Sequence, residues 1–251
     1  MTCNAFQILI SEHNVLEPSQ LSPILRNASD IFKSHLPINH TYELYNKDSI
    51  AEFIKQNLGK EVLKAYNKLK PYAFKGDLGK YCIGYIKGGW YSDITLKIVS
   101  NLPKMHKDCE IVCFRDQGAG LNPYALSYGI QSSLFYAKRK NQIFYKAIEL
   151  ILENCRKENY GISTVCPTGP GVFGRAFAFY GAQKNQVVGS YFPLTPLHEN
   201  KNRAYVLPEG RTLALHKDAW MEGSKPGDIS NFGAIGTNNY VTMYYANDIY
   251  T

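Results

Sequence analysis

The stretch PYAFKGDLGKYCIGYIKGGWYSDITLKIV, from Pro71 to Val99, decides the fold. Phe74, Leu78, Cys82, Tyr85 and Ile86 recur at helical spacing, so residues 73–87 read as a helix, which Gly88-Gly89 stops. WYSDITLKIV (90–99) is rich in aromatic and β-branched residues and reads as a strand. Asp77 and Lys80 stand three apart, on one helix face and off the apolar stripe. Asp93 and Thr95 stand two apart in the strand and therefore point the same way. A helix bearing Asp and Lys is thus folded against a strand bearing Asp and Thr. An acid in an apolar strand is expensive to bury unless it meets a cation or donors. Asp93 is either such a partnered acid or the solvated end of its strand.

Outward from this unit, FQILIS (6–11), HTYELY (40–45) and EIVCF (110–114) read as further strands. Residues 21–36 are helical in spacing. Asp48 reads as the cap of a helix running to Leu58, which resumes after Gly59 and reaches Pro71. Residues 142–158 form the clearest helix, whereas ALSYGIQSSLFYA (125–137) is ambiguous. The last third alternates short strands with loops. Neither a repeat nor a linker divides the 251 residues, so a single domain is expected. Strands alternating with helices imply an α/β layered architecture on a largely parallel sheet. In such sheets ligands bind at the carboxyl ends of strands, here near residues 10, 45, 93 and 114.

Composition narrows the functional classes. No run of 18 apolar residues spans a membrane, and MTCNAFQILISEH lacks the basic start of a secretory signal. The six cysteines then read as reduced thiols. The formal charge of +7 suits anionic partners as well as plain solubility. Nucleic acid is set aside, because no zinc finger, helix-turn-helix or RNP-like strand accompanies the charge.

The Pro71–Val99 segment also resembles the signature of glycosyltransferase family 32, the DxD-containing sugar transferases. That pattern runs roughly A-x-x-(S/A)-D-x-x-R-Y-x-x-L-x-x-x-G-G-I-Y-x-D-x-D. The chain matches it at Ala73, Asp77, Tyr81, Gly88, Gly89, Tyr91 and Asp93. YELYN, AYNKLKP, TGPGVF (168–173) and GTNNYVTMYYANDIY (236–250) are similar to further family segments. Lys80 stands where the family has Arg, and Thr95 where it has the second Asp of DxD.

The resemblance implies an α/β fold of GT-A type: a Rossmann-like mixed sheet flanked by helices. Residues 1–115 would form the nucleotide-sugar half and 116–251 the acceptor half. It implies a retaining transfer of hexose from a UDP- or GDP-sugar to a glycan or lipid-linked acceptor, with Asp77, Lys80 and Asp93 catalytic. Tyr91, Ser92, Ser132, Asn238, Asn239 and Tyr240 would join them in binding the donor. Gly169, Pro170 and Gly171 would shape the acceptor side. Mn²⁺ or Mg²⁺ would be held by Asp93, Thr95 and His216. Because Thr95 is neutral, a nucleotide-sugar-binding module with weak or no turnover is the alternative. A cytoplasmic chain, peripheral at the anionic inner membrane face, is expected. The carboxylates of Asp77 and Asp93 are expected to converge on one pocket.

Overall fold

The computed structural model describes residues 3–15, 17–116, 129–181, 184–193 and 203–251. The chain enters on β1 (Cys3–Ile8), α1 (Pro23–Ser34) and β2 (His40–Tyr45). Three helices follow, α2 (Lys47–Asn57), α3 (Lys60–Lys68) and α4 (Tyr72–Lys87), then β3 (Gly89–Ser92), β4 (Lys97–Ile98), β5 (Ile111–Asp116) and β6 (Ile130–Ala137). It closes with α5 (Gln142–Lys157), α6 (Pro170–Tyr180), β7 (Gln186–Pro193), β8 (Arg203–Val206), β9 (Thr212–Leu215) and α7 (Tyr240–Tyr245).

The nine strands form one sheet in the order β2-β1-β3-β6-β5-β7-β8-β9-β4. Three of its pairings are parallel and five antiparallel, so the sheet is mixed and not largely parallel. β6, the ambiguous stretch, makes two of the antiparallel pairings by running between β3 and β5, and β8 and β9 make the other three with β7, with each other and with β4. β6 also places a strand of the second half between strands of the first, so the sheet does not divide near residue 115.

Period-2 alternation sorts the side chains onto two faces. Phe6, Tyr91, Phe135, Ile111 and Cys113 pack under α2 to α6, while Ala5, Trp90, Leu134, Val112 and Phe114 pack with Phe32 of α1 on the other face. The chain leaves β1 on one side for β2 and returns on the other for β3, so strand order reverses at β1. Such a reversal opens a crevice at the carboxyl ends.

Two glycines join the central helix to the sheet. Gly88 (φ +67°) ends α4, its N–H donating to the Gly84 carbonyl at 2.9 Å. Gly89 (φ +105°) opens β3, and a Cβ there would lie 1.9 Å from the Asn4 carbonyl oxygen of β1. Only glycine allows this strand approach. α4 is buried on more sides than its apolar stripe implied, with Gly76 through Gly84 all buried. Gly79 and Gly84 admit Ile50 of α2 and Phe144 of α5 to within about 3 Å of where a Cβ would stand.

Two local expectations are corrected. Asn46, not Asp48, caps α2: its side chain accepts from the Ser49 N–H at 2.8 Å while Ser49 Oγ accepts from the Asn46 N–H at 2.9 Å. Asp48 sits in the first turn, where its charge still favours the helix N-terminus. The strand expected over 90–99 breaks after Ser92. The Leu96 N–H donates to the Asp93 carbonyl at 3.0 Å, closing a turn that carries the chain to β4 at the far edge. Asp93 and Thr95 therefore share a turn, not one face of a strand.

Candidate functional site

A cavity of about 430 Å³ opens where the carboxyl ends of β1, β3 and β5 meet the starts of the antiparallel strands β6 and β8. Ile8 to Ile10, Asp93, Asp116, Ser132 and Arg203 line it from these strand ends, and Asp77 and Lys80 from α4.

Lys80 is buried, and its ammonium lies 2.9 Å from Asp77 Oδ1 and 3.4 Å from Asp93 Oδ1. The two acids thus converge, as expected, through the lysine between them. Burial alone would lower the Lys80 pKa, but the charges of Asp77 and Asp93 outweigh it and hold it above the usual value. The ammonium also stands 5.1 Å from the centre of the Tyr91 ring.

The two acids differ in what they have left to offer. Asp77 Oδ1 accepts from Lys80 and, at 3.5 Å, from Ser132 Oγ, while Oδ2 accepts from Thr168 Oγ1 at 2.8 Å. A carboxylate has about four acceptor positions, so Asp77 is nearly saturated. On Asp93 the Tyr91 hydroxyl (2.5 Å) and Lys80 both use Oδ1. Its Oδ2 carries no hydrogen bond among the described residues, and the side chain is 37% exposed to the cavity. Proximity to Asp93 adds to burial in pushing the Tyr91 hydroxyl far above its ordinary pKa, so Tyr91 remains a donor.

A second polar cluster comes from the β8–β9 hairpin, whose register sets Arg203 beside His216 through the His216 N–H to Arg203 carbonyl bond of 2.8 Å. Arg203 is ion-paired with Asp218, and the same Asp218 oxygen lies 3.2 Å from His216 Nδ1. Despite the cost of burial, His216 and Arg203 hold the Asp218 carboxyl down at about 2. Burial lowers the His216 pKa, which favours the neutral ring. Lys217 is buried, and its ammonium donates to the carbonyls of Lys225 (2.7 Å) and Asp228 (2.6 Å), tying down a loop whose Pro226 and Gly227 line the cavity.

Other expected residues fall as follows. Tyr91, Thr95, Ser132, His216, Asn238 and Tyr240 line the cavity, as do Gly169 and Pro170. Asn238 is committed to the start of α4: its Oδ1 accepts from the Tyr72 N–H at 2.8 Å and its Nδ2 donates to the Lys70 carbonyl. Asn239 caps α7, accepting from the Val241 N–H at 2.9 Å, and lies outside the lining, as does Gly171. Ser92 also lies outside it, its hydroxyl donating to the Asp93 carbonyl at 3.1 Å. Gly169, the cap of α6, packs behind Asp77, since a Cβ on it would stand 3.3 Å from Asp77 Oδ2, and Pro170 and Gly171 open the helix instead of a turn.

Asp116, Thr168, Tyr191, Arg203, Lys217 and Asp218 were not singled out by the sequence. Asp116 ends a strand already placed by its hydrophobic run, which was the usable signal. Arg203 and Asp218 are brought together only by the hairpin. No three His, Cys, Asp or Glu side chains gather as a metal cage among the described residues. Cys82, Cys109, Cys113, Cys155 and Cys166 are free thiols, and no helix among the described residues is long and apolar enough to cross a membrane.

No protein-family profile matches the chain. An uncharacterized glycosyltransferase of Acanthamoeba polyphaga mimivirus is 38% identical over 79 residues, 30% of this chain. The matched stretch spans only 32% of that curated relative's length. Among solved structures, the PaToxG glycosyltransferase superposes with a TM-score of 0.50 at 17% identity, over 70% of this chain and 68% of that one. At that identity the likeness is one of fold, and it bears out the expected α/β class, a mixed sheet flanked by helices.

Proposed function

We propose that this chain is a glycosyltransferase that binds a UDP- or GDP-linked sugar in the cavity and passes its hexose to a hydroxyl of a glycan or lipid-linked acceptor. The observation that carries the reading is the buried Lys80 held between Asp77 and Asp93 at the carboxyl end of β3. The fold likeness to one glycosyltransferase and the partial sequence match to another support it.

The roles follow from the hydrogen bonds. Lys80 is shared by two acids, so it is not a free counter-charge for a diphosphate. Asp77 has one acceptor position left for a donor hydroxyl, with Thr168 and Ser132 fixing its plane. Asp93 has a whole oxygen left, and it is the acid we assign to the reacting end of the donor.

Among the described residues, the cavity lining carries four carboxylates, Asp77, Asp93, Asp116 and Asp218, against three cations, Lys80, Arg203 and Lys217. With His216 neutral, that is one formal negative charge in excess, so an incoming diphosphate fits best with a divalent cation. Asp93 Oδ2, the Thr95 hydroxyl and His216 Nε2 are the donors we assign to Mn²⁺ or Mg²⁺, with substrate phosphates and water completing the shell as hard cations require. Bound there, the metal would stabilise charge on the leaving diphosphate. In the transfer, the C1–O bond to the β-phosphate breaks and the acceptor oxygen bonds to C1. The acceptor proton goes to a diphosphate oxygen, and the configuration at C1 is retained.

Release of nucleotide from UDP- and GDP-sugars with Mn²⁺, with and without sugar acceptors, tests this. Asp93→Ala is expected to lower the rate on the order of a hundredfold. A near wild-type rate removes Asp93 from the mechanism. Donor binding without any nucleotide release from wild-type protein supports the second reading, a binding module, which the neutral Thr95 favours.

A further inference from the structure

Of the three cations lining the cavity among the described residues, Lys80 is held by two carboxylates and Lys217 donates to two backbone carbonyls. Arg203 is less completely engaged. One Nη2–H goes to Asp218, and the Tyr191 ring lies 5.5 Å from the guanidinium carbon. Its Nε–H is buried with no hydrogen-bond partner among the described residues. Unmade hydrogen bonds on a largely buried guanidinium are costly unless a ligand makes them. A planar fork with open N–H groups is the geometry that matches a phosphate edge to edge.

The surroundings hold that fork still. Asp218 binds Arg203 and His216 with one oxygen, the β8–β9 register fixes the backbone of both, and Tyr191 packs against one side. Arg203 and Asp218 line the same cavity as Asp77 and Asp93, with Tyr240 also in its wall, so the two clusters face a common space.

We propose that Arg203 is the phosphate fork of the donor site, gripping the diphosphate of the nucleotide sugar, and that Asp218 is the positioning residue that aims it. The assignment rests on the donor-site reading above. Lys80, with both acids on it, leaves that task to Arg203.

Titration calorimetry with UDP and with GDP, each with MnCl₂, tests the assignment. Arg203→Ala is expected to weaken diphosphate binding at least tenfold. Arg203→Lys, which keeps the charge beside Asp218 and loses the fork, is expected to weaken it at least threefold, and it serves if Arg203→Ala does not fold. Asp218→Asn should weaken binding less than Arg203→Ala, and combining the two should add little, because the aspartate acts through the arginine. Unchanged affinity in Arg203→Lys and Arg203→Ala overturns the assignment while leaving the donor site standing. Wild-type protein that binds neither nucleotide overturns the donor-site reading itself.

Discussion

Lys80 has 5% of its side chain exposed, and both of its ion-pair partners are acids. Removing it strands Asp77, whose side chain is only 13% exposed, as an uncompensated charge. Lys80→Met is therefore expected to lower stability by about 3 kcal/mol. Adding Asp77→Asn should return part of that loss, since the amide keeps the Thr168 bond without the charge. Urea midpoints of the two variants check this, and equal midpoints would mean that Asp77 is not held by Lys80. The pairing itself was legible from the three-residue spacing and the helix–glycine–strand order. What sequence left hidden was its depth: with Gly76 and Gly79 beside them, Asp77 and Lys80 lie on a helix enclosed on several sides, not on a solvated face. Arg203 and Asp218 were not legible at all, because 15 residues separate them and only tertiary pairing joins them.

At the scale of elements, the join between α4 and β3 positions the site, because it sets Asp77 and Lys80 beside Asp93. Gly89→Ala places a Cβ against the Asn4 backbone and forces a side chain into positive φ. Overlap and strain together are expected to cost roughly 3 kcal/mol or more. Gly210→Ala is the matched control: its φ is +88°, but nothing lies within 4 Å of the new Cβ. Strain alone, about 1 kcal/mol, should remain there. Thermal melting of both variants separates the terms, and comparable losses would show that β3 can move away from β1 freely. Double glycine after a helical stripe signalled this join in the sequence. The stretch 90–99 misled because Ile94, Leu96 and Ile98 are spaced and buried as in a strand, although Ile94 lies in one cluster of the core and Leu96 and Ile98 in another. Burial period follows the side chains, whereas a ladder needs a neighbouring strand, and β6 ends its pairing with β3 at Ser92.

Over the whole molecule the charge runs opposite ways inside and out. The chain carries +7, yet among the described residues the cavity lining has one carboxylate more than it has cations. A positive exterior draws anions toward the protein, while the lining discourages a bare diphosphate from settling. A divalent cation, as proposed, would resolve the conflict, and the two orders of addition distinguish it from simple phosphate binding. UDP or GDP alone is expected to raise the melting temperature little. With MnCl₂ at concentrations about a hundredfold above the dissociation constant, linkage adds about 2.7 kcal/mol. For a chain of this length that is a rise of roughly 5–10 °C. MnCl₂ alone should do less than the pair together, since no cage of three acid, histidine or cysteine ligands stands ready for it among the described residues. An equal rise with nucleotide in the presence of EDTA would show that Arg203 and Lys217 balance the diphosphate unaided, and would move Asp93 from holding a metal to meeting the sugar.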